Sequence, residues 1–114
     1  MNTIYEDEIA VLIPCLNEES TVGSVVTSFR IYFPTARIYV FDNGSDDNTA
    51  SFAIDAGATV VSIPIRGKGN VMREMFRRVS AEIYILVDGD DTYFAEDAPR
   101  MVDLLIKDQL DMVV

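Results

Sequence analysis

The chain has 114 residues, 49% hydrophobic and 25% charged; this is the balance of one globular domain, and no apolar run approaches the ~20 residues that a membrane-spanning helix needs. A formal net charge of -10 excludes nucleic acid and anionic lipid as partners of the surface as a whole. With no histidine and a single cysteine, Cys15, the chain lacks Ser-His-Asp and Cys-His designs, histidine zinc sites and any intrachain disulfide, which leaves chemistry to carboxylates, oxygen-bound metal or basic side chains.

The opening MNTIYEDE is polar and acidic, without the basic and then apolar order of an export signal, and together with the lone cysteine it sets the expectation of a cytoplasmic location. Ile9 to Ile13, IAVLI, is a continuous apolar run that predicts a first strand buried on both faces and stopped by Pro14. Val22, Val25, Val26 and Phe29 then repeat at helical spacing, with Ser20 as N-cap and Pro34 beyond the end. Ala36 to Phe41 reads as the second strand, running into the turn-rich DNGSDDN. A second helix shows Ala50, Ala53 and Ile54 on one side and stops at Gly57. Ala58 to Ile63 is the third strand, and Pro64 to Gly69 a loop. Met72, Met75, Phe76 and Val79 define the next helix, Ile83 to Val87 the fourth strand, and Ala98, Met101, Val102 and Leu105 a fourth helix. The final LDMVV reads as a fifth strand just beginning, so the chain is expected to be the front part of a longer protein. Regular alternation of apolar strands with helices predicts an α/β fold: three αβα layers around a mainly parallel sheet, cut after its fifth strand.

In open parallel sheets ligands bind outside the carboxyl ends of the strands, so those ends carry the chemistry. Strand one supplies Pro14, Cys15, Leu16, Asn17, Glu18 and Glu19; strand two supplies Asp42 to Asp47; strand three supplies Arg66 to Gly69; strand four supplies Asp88, Asp90 and Asp91. Residues two apart in extended chain point the same way, so Asp88 and Asp90 are placed to converge on a hard cation such as Mg²⁺ or Mn²⁺, with Gly89 admitting close approach of backbone. Taken alone, DGDD is a solvated turn; the acidic and basic loops around it favour the cation. Ser45 to Asn48 read as a turn, with Asp47 or Ser45 as N-cap of the second helix, whereas Asp42, at the strand tip, is placed to accept a hydrogen bond from a nucleobase N–H or a ribose hydroxyl. Glu18 and Glu19 either complement the positive end of the first helix or meet a ligand, and Glu18 is favoured for the second role. Cys15 has no basic partner and reads as a small buried residue.

Five of the nine Lys and Arg residues (Arg66, Lys68, Arg73, Arg77 and Arg78) lie close together in this acidic chain. RGKGNVMREMF fits neither GxxxxGK[ST] nor GxGxxG, yet it joins flexible backbone, Lys68, a helix N-terminus and Arg73, which suits a phosphate. Arg77 and Arg78 read as a solvated face, with Glu74 spaced to pair with Arg78. Glu18, Asp42, Asp88, Asp90 and Asp91 would repel a diphosphate unless a divalent ion lay between them, and the set as a whole describes a metal-dependent site for a nucleoside diphosphate compound.

IPCLNEE, DNGSDDNT, GKGNVMREMF and VDGDDTY, in that order, resemble the GT-A glycosyltransferases of family 2, and within them the group similar to dolichyl-phosphate mannose synthase and bacterial polyprenyl-phosphate glycosyltransferases. The resemblance runs from about Ile9 to the end and implies a GT-A, Rossmann-like fold of which residues 1–114 are the nucleotide-sugar-binding portion, the acceptor-binding part being absent. It implies inverting transfer of a sugar from a UDP- or GDP-sugar to a lipid phosphate or a growing surface glycan, in cell-envelope biogenesis. Pro14, Leu16 and Glu18 would line the nucleoside pocket, and Asp42 would contact the base. Asp88, Gly89 and Asp90 correspond to the DxD-type segment, with Asp88 and Asp90 holding Mg²⁺ or Mn²⁺ and Asp90 as the catalytic carboxylate. Lys68 and Arg73 lie in the GKGNxxR-like segment and would meet the donor. The cation would act as a Lewis acid on the departing diphosphate, and any membrane association would come from the C-terminal part. Where mannose synthase relatives tend to have DADLQ, this chain has DGDDT, which separates Asp91 and Thr92 from the pattern.

Two other classes share part of this pattern. A receiver-like signalling module also gathers aspartates and Mg²⁺ at strand ends, but it needs a lone phospho-acceptor aspartate on a middle strand and a lysine on a late one. A sugar nucleotidyltransferase opens with a Gly-rich basic loop after strand one, where this chain has IPCLNEE. Neither accounts for all four loops.

Overall fold

A computed structural model describes residues 8–90, 95–100 and 102. In chain order the elements are β1 (Ile9–Cys15), α1 (Val22–Tyr32), β2 (Arg37–Asp42), α2 (Thr49–Asp55), β3 (Thr59–Ser62), α3 (Lys68–Arg78), β4 (Ile83–Leu86) and a 3-10 turn (Ala95–Asp97). All the strand pairings are parallel and the spatial order is β3-β2-β1-β4. The chain therefore steps outward from β1 to β3 and then crosses back to place β4 on the other side of β1. That reversal puts α1 and α2 on one face of the sheet and α3 on the opposite face, as crossovers of a single hand require.

Alternation along the strands divides the core into two layers. Ile9, Val11, Ile13 and Cys15 of β1, with Ile38 and Val40 of β2, pack against Val22, Val25, Val26 and Phe29 of α1 and Ala53 of α2. Ala10, Leu12 and Phe41 face the other way and meet Val71, Met75 and Val79. Because β1 is covered on both faces, its side chains from Ile9 to Ile13 are almost completely buried, and each large one contributes about 1.5–3 kcal/mol of transfer free energy. Ala98 and Val102 add to the α1 side.

Several expectations need correction. β1 runs through Pro14 to Cys15, with Pro14 paired to Phe41 and Cys15 to Asp42. The N-cap of α1 is Thr21 and not Ser20. In α2 the buried positions are Thr49 and Ala53, while Ile54 is exposed; the helix is short and touches the core along one i, i+4 line. In α3 the buried residues are Val71 and Met75, with the C-cap Val79 buried just beyond the helix, and Phe76 is exposed on one side, its ring edge-on to Tyr84 with centroids 5.1 Å apart. The helix lies over β1, so residues one step round it reach only as far as β4. Met101, Leu105 and the expected fifth strand lie outside the described residues.

Candidate functional site

The place where strand order reverses lies between β1 and β4, and in open α/β sheets this is where a crevice opens at the carboxyl edge. Pro14 creates the opening. The Val87 N–H donates to the Leu12 carbonyl at 3.2 Å, and the next rung of a parallel ladder would need an N–H on residue 14, which proline does not have. Pairing with β4 therefore stops, while the other side of β1 continues, with Asn43 N donating to Cys15 O at 2.9 Å. A proline in a central strand is tolerated here because only its unpaired flank lacks the donor. The consequence is that Asp88, Gly89 and Asp90 leave the sheet beside the end of β1.

Gly89 is seated under the first loop. A Cβ added there would stand 2.5 Å from the Cys15 sulfur and 3.4 Å from Glu18 Cγ, so only glycine lets the segment lie this close. The Thr21 hydroxyl donates to the Gly89 carbonyl and pins the segment to the start of α1. Gly89 and Asp90 form a turn, and the alternation expected of extended chain therefore ends at Asp88. Burial, followed by the negative charges of Glu18, Asp42, Asp88 and Asp47, pushes the Cys15 thiol up to about 12; it is an inert floor to the site.

The loops after β1 and β2 are sewn together by reciprocal hydrogen bonds. Asn17 N donates to Ser45 Oγ at 2.8 Å, Glu18 N to Thr49 Oγ1 at 2.9 Å, and Glu19 N to Asp47 Oδ2 at 3.2 Å. In return Asp46 N donates to Asn17 Oδ1 at 2.8 Å, and Asn48 N to Glu19 Oε2 at 3.0 Å. Asn17 adopts a positive φ of 54°, which asparagine tolerates. Asp47 Oδ1 accepts the Thr49 N–H at 3.0 Å, so this carboxylate holds the first residue of α2, while the N-cap position itself falls to Asn48 and not to the expected Ser45 or Asp47. Desolvation pushes the Asp47 carboxyl up, but the hydrogen bonds from Thr49 and from the Glu19 backbone outweigh it and hold the group below its usual range. Glu19 and Asp47 are thus fasteners of the rim. Asp42 Oδ1 accepts from Ser45 N at 3.1 Å and Ser45 Oγ at 2.5 Å, closing an Asx turn at the tip of β2.

The loop after β3 ends at Gly67, two residues sooner than the sequence suggested, because α3 already begins at Lys68; it is basic, and residues 64–69 are exposed. Arg66 reaches back to donate to the Gly44 carbonyl at 2.9 Å. Lys68, in the first turn of α3, stands 3.9 Å from Asp88 Oδ1, bringing the one basic loop to the acidic segment. The pair is open to solvent and contributes little to stability. Below it lies a cleft of about 210 Å³ lined by Pro14, Lys68, Met72, Leu86, Val87 and Asp88.

Of the residues singled out in the sequence, Pro14, Lys68 and Asp88 meet at this cleft. Gly89 and Glu18 lie against each other above Cys15. Asp42 ends the neighbouring strand, and Leu16 is exposed at the end of β1. Asp90 is exposed one turn position beyond Gly89. Arg73 is exposed, five residues past Lys68 and therefore about 140° round the helix from it; the structure does not bring the two together. Asp91 and Thr92 lie outside the described residues. Sequence reasoning missed Thr21, Asn43 and Thr49. The signal for the last two was present, because they are polar residues at positions where the pattern of the flanking elements demands burial.

Among the described residues no three carboxylates or thiols cluster as metal ligands. The donor set nevertheless fits a hard divalent cation: Asp88 and Asp90 offer oxygen only, at an open rim, and Mg²⁺-type sites commonly take one or two carboxylates and complete the shell with water and diphosphate oxygens.

The family model for glycosyl transferase family 2 matches residues 10–114. The chain is 60% identical over 106 residues to protein RfbJ of Shigella flexneri, covering 93% of this chain and 82% of RfbJ. It is 34% identical over 108 residues to the dolichyl-phosphate hexose transferase of Haloferax volcanii, covering 94% of this chain and 46% of that protein. Among solved structures, glucosyl-3-phosphoglycerate synthase from Mycobacterium tuberculosis in complex with Mn²⁺, UDP and glucosyl-3-phosphoglycerate superposes with a TM-score of 0.75 at 33% identity, covering 85% of this chain and 39% of that one. The same enzyme has been solved with Mg²⁺ and UDP.

Proposed function

The chain belongs to glycosyl transferase family 2, and on that premise we propose that residues 1–114 are the donor-binding portion of an inverting, cation-dependent enzyme that moves a sugar from a UDP- or GDP-sugar to a polyprenyl phosphate or a growing surface glycan. The observation that carries this reading is the meeting, at the switch-point crevice, of the Asp88 carboxylate with Lys68 at 3.9 Å, directly above a cleft. An acidic strand end facing a basic helix start is the arrangement a diphosphate and a divalent cation need together.

In this reading Asp88 and Asp90 hold Mg²⁺ or Mn²⁺, and the cation, when bound, supplies Lewis-acid stabilisation of the charge on the leaving diphosphate. Lys68 holds a phosphate oxygen from the opposite wall. Asp42, with Oδ1 committed to Ser45, turns Oδ2 toward the base or ribose. Pro14, Leu16 and Glu18 flank the nucleoside, and Gly89 lets the Asp88–Asp90 segment lie close against Cys15 and Glu18 at the edge where the donor binds. Arg73 stands apart on the outer side of α3 and serves the acceptor side or the solvent. The Mn²⁺ and UDP found with the mycobacterial synthase support a divalent ion and a uridine donor, and the dolichyl-phosphate transferase supports a lipid-phosphate acceptor. Such an acceptor would bring the full enzyme to the cytoplasmic face of a membrane; among the described residues no helix is long and apolar enough to cross one.

Calorimetric titration of UDP and of GDP into the full-length protein tests the reading. One nucleotide should bind with Mn²⁺ present, and Asp90→Ala should weaken it about tenfold, equivalent to about 1.4 kcal/mol. Equal affinity in excess chelator would rule out the cation-dependent site.

A further inference from the structure

Asn43 and Thr49 are the two buried polar residues among the described residues, and both sit directly under the carboxyl edge of the sheet. Burying an amide costs free energy unless its donors and acceptor are all satisfied. Thr49 serves the first loop, as described above. Asn43 serves the third. Its Nδ2 donates to the carbonyls of Ile63 at 2.8 Å and Ile65 at 2.9 Å, and its Oδ1 accepts the Gly67 N–H at 3.2 Å. Two carbonyls on one side and an N–H on the other leave only one orientation of the amide.

Besides Asn43, the loop is tied by two exposed side-chain hydrogen bonds, from Arg66 to the Gly44 carbonyl at 2.9 Å and from Asn70 to the Arg66 carbonyl at 3.1 Å; Asn43 supplies the buried ones. Residues 64–69 are all exposed, Ile65 among them at 68%, so no apolar anchor fixes the loop. Gly67 takes a φ of 127°, which strongly favours glycine at this position. Its carbonyl then receives the N–H groups of Asn70 and Val71 at 3.1 and 3.2 Å and starts α3, which carries Lys68. The Asn43 side chain therefore reaches from the tip of β2 to the residue immediately before Lys68.

We propose that Asn43 is a positioning residue that fixes the basic loop after β3, and with it Lys68, opposite the Asp88 segment. The inference deepens the donor-binding reading and rests on it for what the loop holds, a diphosphate. It assigns the second residue of DNGSDDNT, which the sequence pattern marks only as a turn former, to control of phosphate binding at a loop 24 residues further along the chain.

Native-state cleavage by trypsin after Arg66 and Lys68 reads the loop without any ligand. Asn43→Asp keeps the shape and the acceptor but turns a carboxylate toward two carbonyls, and Asn43→Ser removes the reach. In full-length variants at pH 8, nicking at these two sites should rise about tenfold, the effect of losing one to two hydrogen bonds, with nicking after Arg77 and Arg78 unchanged. Unchanged nicking at the loop, or an equal rise at Arg77 and Arg78, would overturn the proposal. In calorimetry with UDP and Mn²⁺, Asn43→Asp should weaken binding at pH 8 and regain affinity as acidification returns a donor to the side chain. Adding Lys68→Ala to Asn43→Asp should cost less than the two separate losses combined, and full additivity would contradict positioning through Lys68. If the wild type binds neither UDP nor GDP, the donor reading fails while the cleavage result still decides whether Asn43 controls the loop.

Discussion

Replacing Gly89 by alanine tests how the Asp88–Asp90 segment is seated. The new Cβ would lie 2.5 Å from Cys15 Sγ, half an ångström inside the 3.0 Å that real Cβ contacts respect. Gly89 does not have a positive φ, so the backbone itself accepts alanine and the whole penalty is steric. Cys15 is 3% exposed in the α1-side core and has no room to withdraw, so the segment must lift and strain the hydrogen bond from Thr21 to the Gly89 carbonyl. Overpacking of this size costs about 1–3 kcal/mol. Cys15→Ala alone should cost about 1 kcal/mol through a small cavity. In the double variant the clash disappears, and the coupling between the two sites should reach about 1–2 kcal/mol in the compensating direction. Urea denaturation of the four proteins measures the cycle, and UDP titration with Mn²⁺ follows the same order if the lifted segment carries the cation ligands. Effects that add to within about 0.5 kcal/mol would show that Cys15 does not support Gly89 and would refute the reasoning.

Thr49→Val, which keeps the shape of a fully buried side chain, removes the acceptor of the Glu18 N–H and a donor to Asp47; it should destabilise the fold by about 1–3 kcal/mol, visible as a lower urea midpoint. Because the Cys15 thiol has a folded value of about 12 against an ordinary 9.0, the folded state keeps a proton that the unfolded chain releases. Its contribution to stability is therefore fully present below pH 9.0 and is lost as pH rises from there toward about 12. Thermal unfolding between those pH values should show a steeper alkaline loss in the wild type than in Cys15→Ala, and Cys15 should resist alkylation at pH 8 until the protein unfolds.

The sequence alone determined the α/β class, the four strands and three helices from Ile9 to Leu86, and the set of loops that line one edge. These rest on local causes: apolar runs of strand length, helical spacing of Val22, Val25, Val26 and Phe29, and Pro and Gly punctuation. The tertiary structure decided which polar residues face a ligand and which hold the loops. Glu19 and Asp47 have the same chemistry as Asp88, yet they fasten loops whose residues are 28 or 29 positions apart. Asn43 and Thr49 look like turn and helix-start residues until burial shows what they hold. Pro14 reads as a strand stop in one dimension; in three it ends pairing with β4 only, because its missing N–H matters on one flank and not on the other. The reason is the same in each case: a side chain's role at this edge depends on strand order and register, and those are set by packing between segments that lie far apart in the chain.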